Sequence, residues 1–407
     1  MIQVRFKNTH FFSVYMLFFL MVSCNCGLAS KDSNKSISKQ DDAIIVGANN
    51  TEKYISLLAG KRVAIAANQT SVIFKTDNSY VHIVDSLLQL NINIVKVFSP
   101  EHGFRGKSDA GEHVADDLDK KTGLPIISLH GKTRKPSPEI LSDVDIIVFD
   151  IQDVGARFYT YISTMSIIME AAAELNIPVI VLDRPNPNGH YVDGPVLEIE
   201  HKSFLGMHPV PLVYGMTIGE YAKMVNGEHW LKNGIQCNLT VIPLQNYTHK
   251  SEYNLPIRPS PNLPNDKSIN LYPSLGFFEG TTINAGRGTE FQFQRYGAPN
   301  FPKSEFTYIP QPNFGSKYPK HEGKQCNGVD LTNVPKMSKV DLTWLIDAYN
   351  KTPKETSFFG KTFTVHVGNT TLQQQIEKGM NASEISATWV KDLNKFNKIR
   401  GKYLIYE

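Results

Sequence analysis

From residue 62 onward, short apolar runs alternate with amphipathic stretches. The runs at 62–66, 92–98, 145–149 and 177–182 are almost unbroken in aliphatic and β-branched residues. That pattern predicts strands buried on both faces, as in a parallel sheet covered by helices on both sides. Runs at 126–129 and 239–244 predict two more strands. Between the runs the period becomes helical. Val81, Val84, Leu87 and Leu88 share one face over 80–90, and 164–175 turns Ala171, Ala172 and Ala173 toward the core. Ser137-Pro138-Glu139 has the form of a helix start. Thr217 and Glu220 have the form of a capping box heading 217–226.

Pro259, Pro261 and Pro264 exclude any regular element over 257–264, and the domain boundary is placed there. The first domain then spans 44–256 and the second 257–407. The second is less periodic, with a glycine-rich stretch over 277–290 and helical patterns at 342–350, 372–378 and 383–403.

Four of the apolar runs end in polar clusters: Asn68 with Gln69, Glu101 with His102, Asp150 through Arg157, and Asp183 through Asn188. In a parallel sheet these ends share one edge, where ligands bind in open α/β folds. Asp and Asn after strands also cap helices and close turns. That bland reading accounts for Asn68 and Asp183 better than for the groups around Glu101 and Asp153.

The chain has 407 residues, 41% hydrophobic and 20% charged, which is a globular composition. A net charge of +3 without a basic stripe gives no reason to expect a nucleic-acid partner. The first strand-end loop, 66–70, lacks the glycines of a dinucleotide site, which speaks against a Rossmann-type oxidoreductase. There is no phosphate loop, no nucleophile elbow and no cluster with metal-ligand spacing, so no cofactor or metal is expected. Carboxylates, amides, arginines and aromatic rings remain, a mixture that suits a sugar.

Glu101 is the expected catalytic acid, on a loop shaped by Pro100 and Gly103 between Phe98 and Phe104. The plainer reading is a surface glutamate paired with Arg105. His102 reads equally as an orienting donor or a base. Arg157 reads equally as a ligand or as a salt bridge to Asp150 or Asp153. Glu279, Arg287 and Glu290 lie in the glycine-rich stretch, read as closing over the site, with ordinary turn chemistry as the alternative.

Residues 1–24 have the form of a targeting segment. Arg5, Lys7 and His10 precede an apolar stretch at 11–22, too short for the ~20 residues of a bilayer span. Met21-Val22-Ser23-Cys24 predicts a lipobox with Cys24 as the acylated residue, against an ordinary secretory signal cleaved nearby. The tether, 25–43, is rich in Ser, Lys, Asp and Asn. The expectation is an exported lipoprotein held by its lipid on the periplasmic side of a bacterial envelope. Cys237 and Cys326 either pair or stay free.

Ser99-Pro100-Glu101-His102-Gly103-Phe104-Arg105-Gly106 and the segment from Phe149 through Asp150, Gln152, Asp153 and Arg157 to Tyr161 resemble the NamZ-type exo-β-N-acetylmuramidases. Segments 182–189, 193–195, 259–264 and 278–290 are similar too; His190 stands where the family often carries a second glycine. The resemblance implies a Rossmann-like, mostly parallel α/β domain, then a smaller α/β domain, with the active site in the cleft between them. It implies hydrolytic release of N-acetylmuramic acid from the non-reducing end of peptidoglycan fragments. It places the catalytic glutamate at Glu101, with Asp153 and then Glu290 as candidates for the second group. Substrate would be bound by Asn68, His102, Arg105, Asp150, Gln152, Arg157, Tyr159, Asp183, Arg184, Asn186, Glu279 and Arg287. The lactyl carboxylate suits an arginine fork, from Arg157, Arg184 or Arg287. The competing class is a cell-wall sugar-binding lipoprotein without turnover.

Overall fold

The apolar runs form strands, and alternate residues of each face opposite cores. In β1 (Val63–Ala67), Val63, Ile65 and Ala67 enter one buried cluster while Ala64 and Ala66 enter another. In β5 (Ile146–Asp150), Ile146 and Val148 join the first cluster, and Ile147 and Phe149 the second. Burial on both faces is why these runs lack polar alternation. The computed structural model describes residues 43–77, 79–105, 117–131 and 133–407. The targeting segment with Cys24, and the tether as far as 42, lie outside the described residues.

The other strands of the large sheet are β2 (Ile94–Ser99), β3 (Asp117–Leu118), β4 (Pro125–Ser128), β6 (Val179–Leu182) and β7 (Leu239–Ile242). Their order is β7-β6-β5-β1-β2-β4-β3, parallel except for the edge pair β3 and β4. The chain runs outward from β1 to β2 and β4, then returns to β5 on the other side of β1. That reversal opens a crevice at the carboxyl ends of β1 and β5. The strand-end clusters after β1, β2, β5 and β6 therefore share one rim.

The helix expected over 80–90 starts later. Tyr80–His82 pairs with Val72–Phe74 as a hairpin, and the helix is Ile83–Gln89 with His82 accepting from the Val84 amide. Thr217 and Glu220 form their capping box at the head of Ile218–Gly227. The second region holds a smaller antiparallel sheet of Arg295–Ala298, Cys326–Asp330 and Thr307–Tyr308, in that spatial order. It also holds helices Asp266–Leu275, Thr343–Lys351 and Ala382–Arg400.

One hydrophobic core runs from Phe149 and Met165 on the large sheet through Leu263 and Phe277 to Trp389. Residues 43–407 accordingly form a single compact unit. The proline-rich segment expected at the boundary is tied to the rim. The Pro259 carbonyl accepts from Tyr159 (2.7 Å), Tyr161 (3.2 Å) and Gln69 (3.2 Å). Cys237 and Cys326 are buried free thiols. Among the described residues, no helix is long and apolar enough to cross a membrane.

Candidate active site

Glu101 follows β2 in a turn closed by the Gly103 amide on the Pro100 carbonyl (3.1 Å). His102 sits at φ 72° and Gly103 at φ 79°, both left-handed. Non-glycine residues adopt that conformation at a cost and cluster where function requires it. The turn aims the Glu101 side chain at Thr160, which precedes helix Tyr161–Glu174. A threonine there ordinarily caps the helix with its hydroxyl. This one instead donates to Glu101 Oε2 at 2.9 Å. The Tyr161 hydroxyl reaches the Glu101 carbonyl at 3.4 Å. The helix entry is thus diverted to hold the glutamate.

Glu101 opens onto a cavity of about 250 Å³. Phe158, Tyr159, Tyr272 and Phe293 supply aromatic faces, with Phe158 and Tyr272 edge to face at 5.0 Å and Tyr272 and Phe293 at 4.7 Å. His102, Thr160, Ser260 and Asn262 add polar groups. The second region contributes Glu279, Arg287 and His366.

Arg287 grips Glu279 with two bonds, Nε to Oε1 at 3.0 Å and Nη2 to Oε2 at 2.9 Å. Lys320 lies behind them, its ammonium donating to the carbonyls of Phe278 (2.7 Å), Glu279 (3.2 Å) and Thr281 (2.7 Å). Burial alone would raise the Glu279 carboxyl. The charges of Arg287 and Lys320 outweigh it and hold the group below its ordinary range. His366 is bonded through Nδ1 to the Thr362 carbonyl at 2.8 Å. A carbonyl only accepts, so the proton sits on Nδ1 and the lone pair on Nε2. Burial, with Lys320 and Arg287 nearby, lowers its pKa and keeps the ring neutral.

The expected residues divide into two groups. Glu101, His102, Tyr159, Glu279 and Arg287 meet at the cavity. The rest stand behind it or away from it. Asp150 is sealed in a bidentate pair with Arg184, at 2.6 and 2.9 Å. Asp183 is buried and accepts from Thr217, Gly219 and Tyr406; burial pushes it up to about 6 despite those donors. Asn186 binds the Met216 carbonyl, and Gln152 those of Asp153 and Pro185. Asn68 accepts from Thr70. Arg105 pairs with Asp119, at 3.2 and 2.8 Å, and covers the Phe104 ring.

Arg157 pairs with neither Asp150 nor Asp153. It is fully buried and donates to the carbonyls of Pro195, Val210, His366 and Val367. Of the three arginines considered for the lactyl group, Arg287 is the one lining the cavity. Asp153 is buried away from the lining, accepting from the Gly155 amide (2.7 Å) and the Tyr214 hydroxyl. Burial pushes it up to about 7. Glu290 is exposed on the glycine-rich loop, off the lining.

Sequence reasoning did not pick out Thr160, Tyr272 or His366 as site residues. Thr160 could have been found, since it stands inside the same polar and aromatic run as Asp153 and Tyr161. Tyr272 and His366 carry no local signal. Among the described residues no group of three His, Cys, Asp or Glu could hold a metal ion.

Known proteins match this chain along most of its length. A peptidoglycan β-N-acetylmuramidase NamZ of Bacillus subtilis is 39% identical over 400 residues, 93% of this chain and 95% of that one. Two crystal structures of DUF1343 family proteins from Bacteroides fragilis share the fold. One has a TM-score of 0.82 at 45% identity, covering 90% of this chain and 99% of that one. The other has a TM-score of 0.76 at 30% identity, covering 89% and 99%. The N-terminal model of the exo-β-N-acetylmuramidase NamZ family matches residues 63–267 and its C-terminal model residues 270–406. The chain therefore belongs to the exo-β-N-acetylmuramidase NamZ family.

Proposed function

We propose that this protein is an exo-acting glycoside hydrolase that releases N-acetylmuramic acid from the non-reducing end of peptidoglycan fragments, in cell-wall turnover. The observation that carries the reading is the cavity itself. Glu101, held by Thr160, opens onto a space of about 250 Å³ with aromatic faces and the Arg287–Glu279 ion pair. That volume is small beside the roughly 300–1,000 Å³ of drug-sized pockets. It suits one terminal sugar better than a stretch of glycan. Arg287 is our choice for the lactyl carboxylate.

Export and a lipid anchor at Cys24 are part of the proposal, supported by the targeting pattern of residues 1–24. A Cys24→Ala variant that still partitions with membranes would remove the anchor.

The activity is tested on purified glycan strands of defined ends. Muramic-terminated strands should release free N-acetylmuramic acid, and strands capped by N-acetylglucosamine should resist. Tight binding with no product would favour the sugar-binding lipoprotein. Internal cleavage would remove the exo assignment.

A further inference from the structure

Resting on the muramidase reading, we propose that Glu279 is the second catalytic group, an ionised carboxylate facing the same cavity as Glu101. Glycosidases of the common type flank the scissile bond with two carboxyls, one giving a proton and one supplying electrons. Among the described residues lining the cavity, two carry carboxyls, Glu101 and Glu279. Asp153 is sealed from it and Glu290 lies outside.

The surroundings of Glu279 fit the electron-supplying role. Its side chain is 25% exposed, so it is open to a ligand. The Arg287 fork and the Lys320 ammonium favour its charged form. The 3-10 helix that presents it, Gly276–Gly280, is firmly seated. Lys320 ties down the carbonyls on both sides, and the Gly280 carbonyl accepts from the Gly360 amide at 2.8 Å. A Cβ on Gly280 would stand 2.5 Å from the Phe363 Cα, so the close approach itself requires glycine.

The chemistry balances with one water. Glu101 gives its proton to the glycosidic oxygen as the bond to C1 breaks and its electron pair leaves with that oxygen. C1 regains a pair in one of two ways. A water oxygen bonds C1 while Glu279 takes the water proton, or a Glu279 oxygen bonds C1 as an ester that water then opens, with Glu101 as base. Both routes need Glu279 unprotonated.

The experiment compares two aryl muramides, one with a poor phenol leaving group and one with an activated dinitrophenol. Glu101→Gln should lose far more on the poor leaving group, because the activated one needs no proton. Glu279→Gln should lose about 1,000-fold or more on both. Azide added to Glu279→Ala should restore turnover and yield a glycosyl azide. An unchanged melting temperature, and retained binding of N-acetylmuramic acid by Glu279→Gln, separate this from misfolding. Glu279→Gln within tenfold of wild type, or a folded Glu279→Ala that azide does not rescue, overturns the assignment. Wild type inactive on both substrates overturns the muramidase reading and the role of Glu279 with it.

Discussion

Glu101 and Glu279 face one cavity but are held by different chemistry. Glu101 follows a central strand, in a turn closed by backbone, and accepts from the neutral Thr160 hydroxyl. Glu279 lies in the 3-10 helix Gly276–Gly280 and is held by two cations. A hydroxyl both donates and accepts, so it serves either protonation state of its partner. A guanidinium only donates, so it serves the anion alone. On the proposed reading, that difference suits Glu279 to the anionic role.

The strongest way to break this contrast is at Glu101. Glu101→Gln should lower kcat on natural glycan by about 100- to 10,000-fold with little change in KM. A loss below tenfold would put the proton donor elsewhere.

A third carboxyl sharpens the comparison, because Asp153 is sealed from the cavity. Its folded pKa of about 7 lies above the ordinary aspartate range. The stability contributed by the neutral form is complete below about pH 4 and is lost as pH rises through 7, on the order of 4 kcal/mol. Urea midpoints at pH 5 and pH 8 should therefore differ in wild type, and the difference should shrink in Asp153→Asn, with Asp183 supplying what remains. An identical pH slope in the variant would show the group ionised throughout.

Thr160→Val should cut kcat roughly twofold to tenfold, as expected for one hydrogen bond to a neutral acid, with Thr160→Ser restoring most of it. Because the hydroxyl caps nothing, the melting temperature should barely move. The remaining effect is one of selectivity. Arg287→Lys keeps a cation beside Glu279 but loses the fork. It should lower the preference for a muramic over a glucosamine substrate by about tenfold. Equal losses on both would remove the lactyl assignment.

The large sheet was legible because burial on both faces writes continuous apolar runs. Its strand-end clusters were legible because a parallel sheet has one carboxyl rim. The small sheet was not. Arg-Tyr-Gly-Ala at 295–298 and Cys-Asn-Gly-Val-Asp at 326–330 show neither alternation nor an apolar run. Helix Asp266–Leu275 was hidden by Pro273 and a polar start, although Asn265 and Ser268 form a capping box. Within the site, sequence marked Asp153 and Arg157 as chemical but could not say which way they point. Tyr214 and four carbonyls take them inward. Glu279 was marked only as a binder, because the cations that keep it charged come from positions 287 and 320.

The three donors on the Pro259 carbonyl have one more consequence. A seam fastened at that point, with a shared core beneath it, leaves little room for the halves to swing apart. The molecule then behaves as a socket of fixed bore. On the proposed reading, a terminal sugar would meet a pocket whose walls already stand in place.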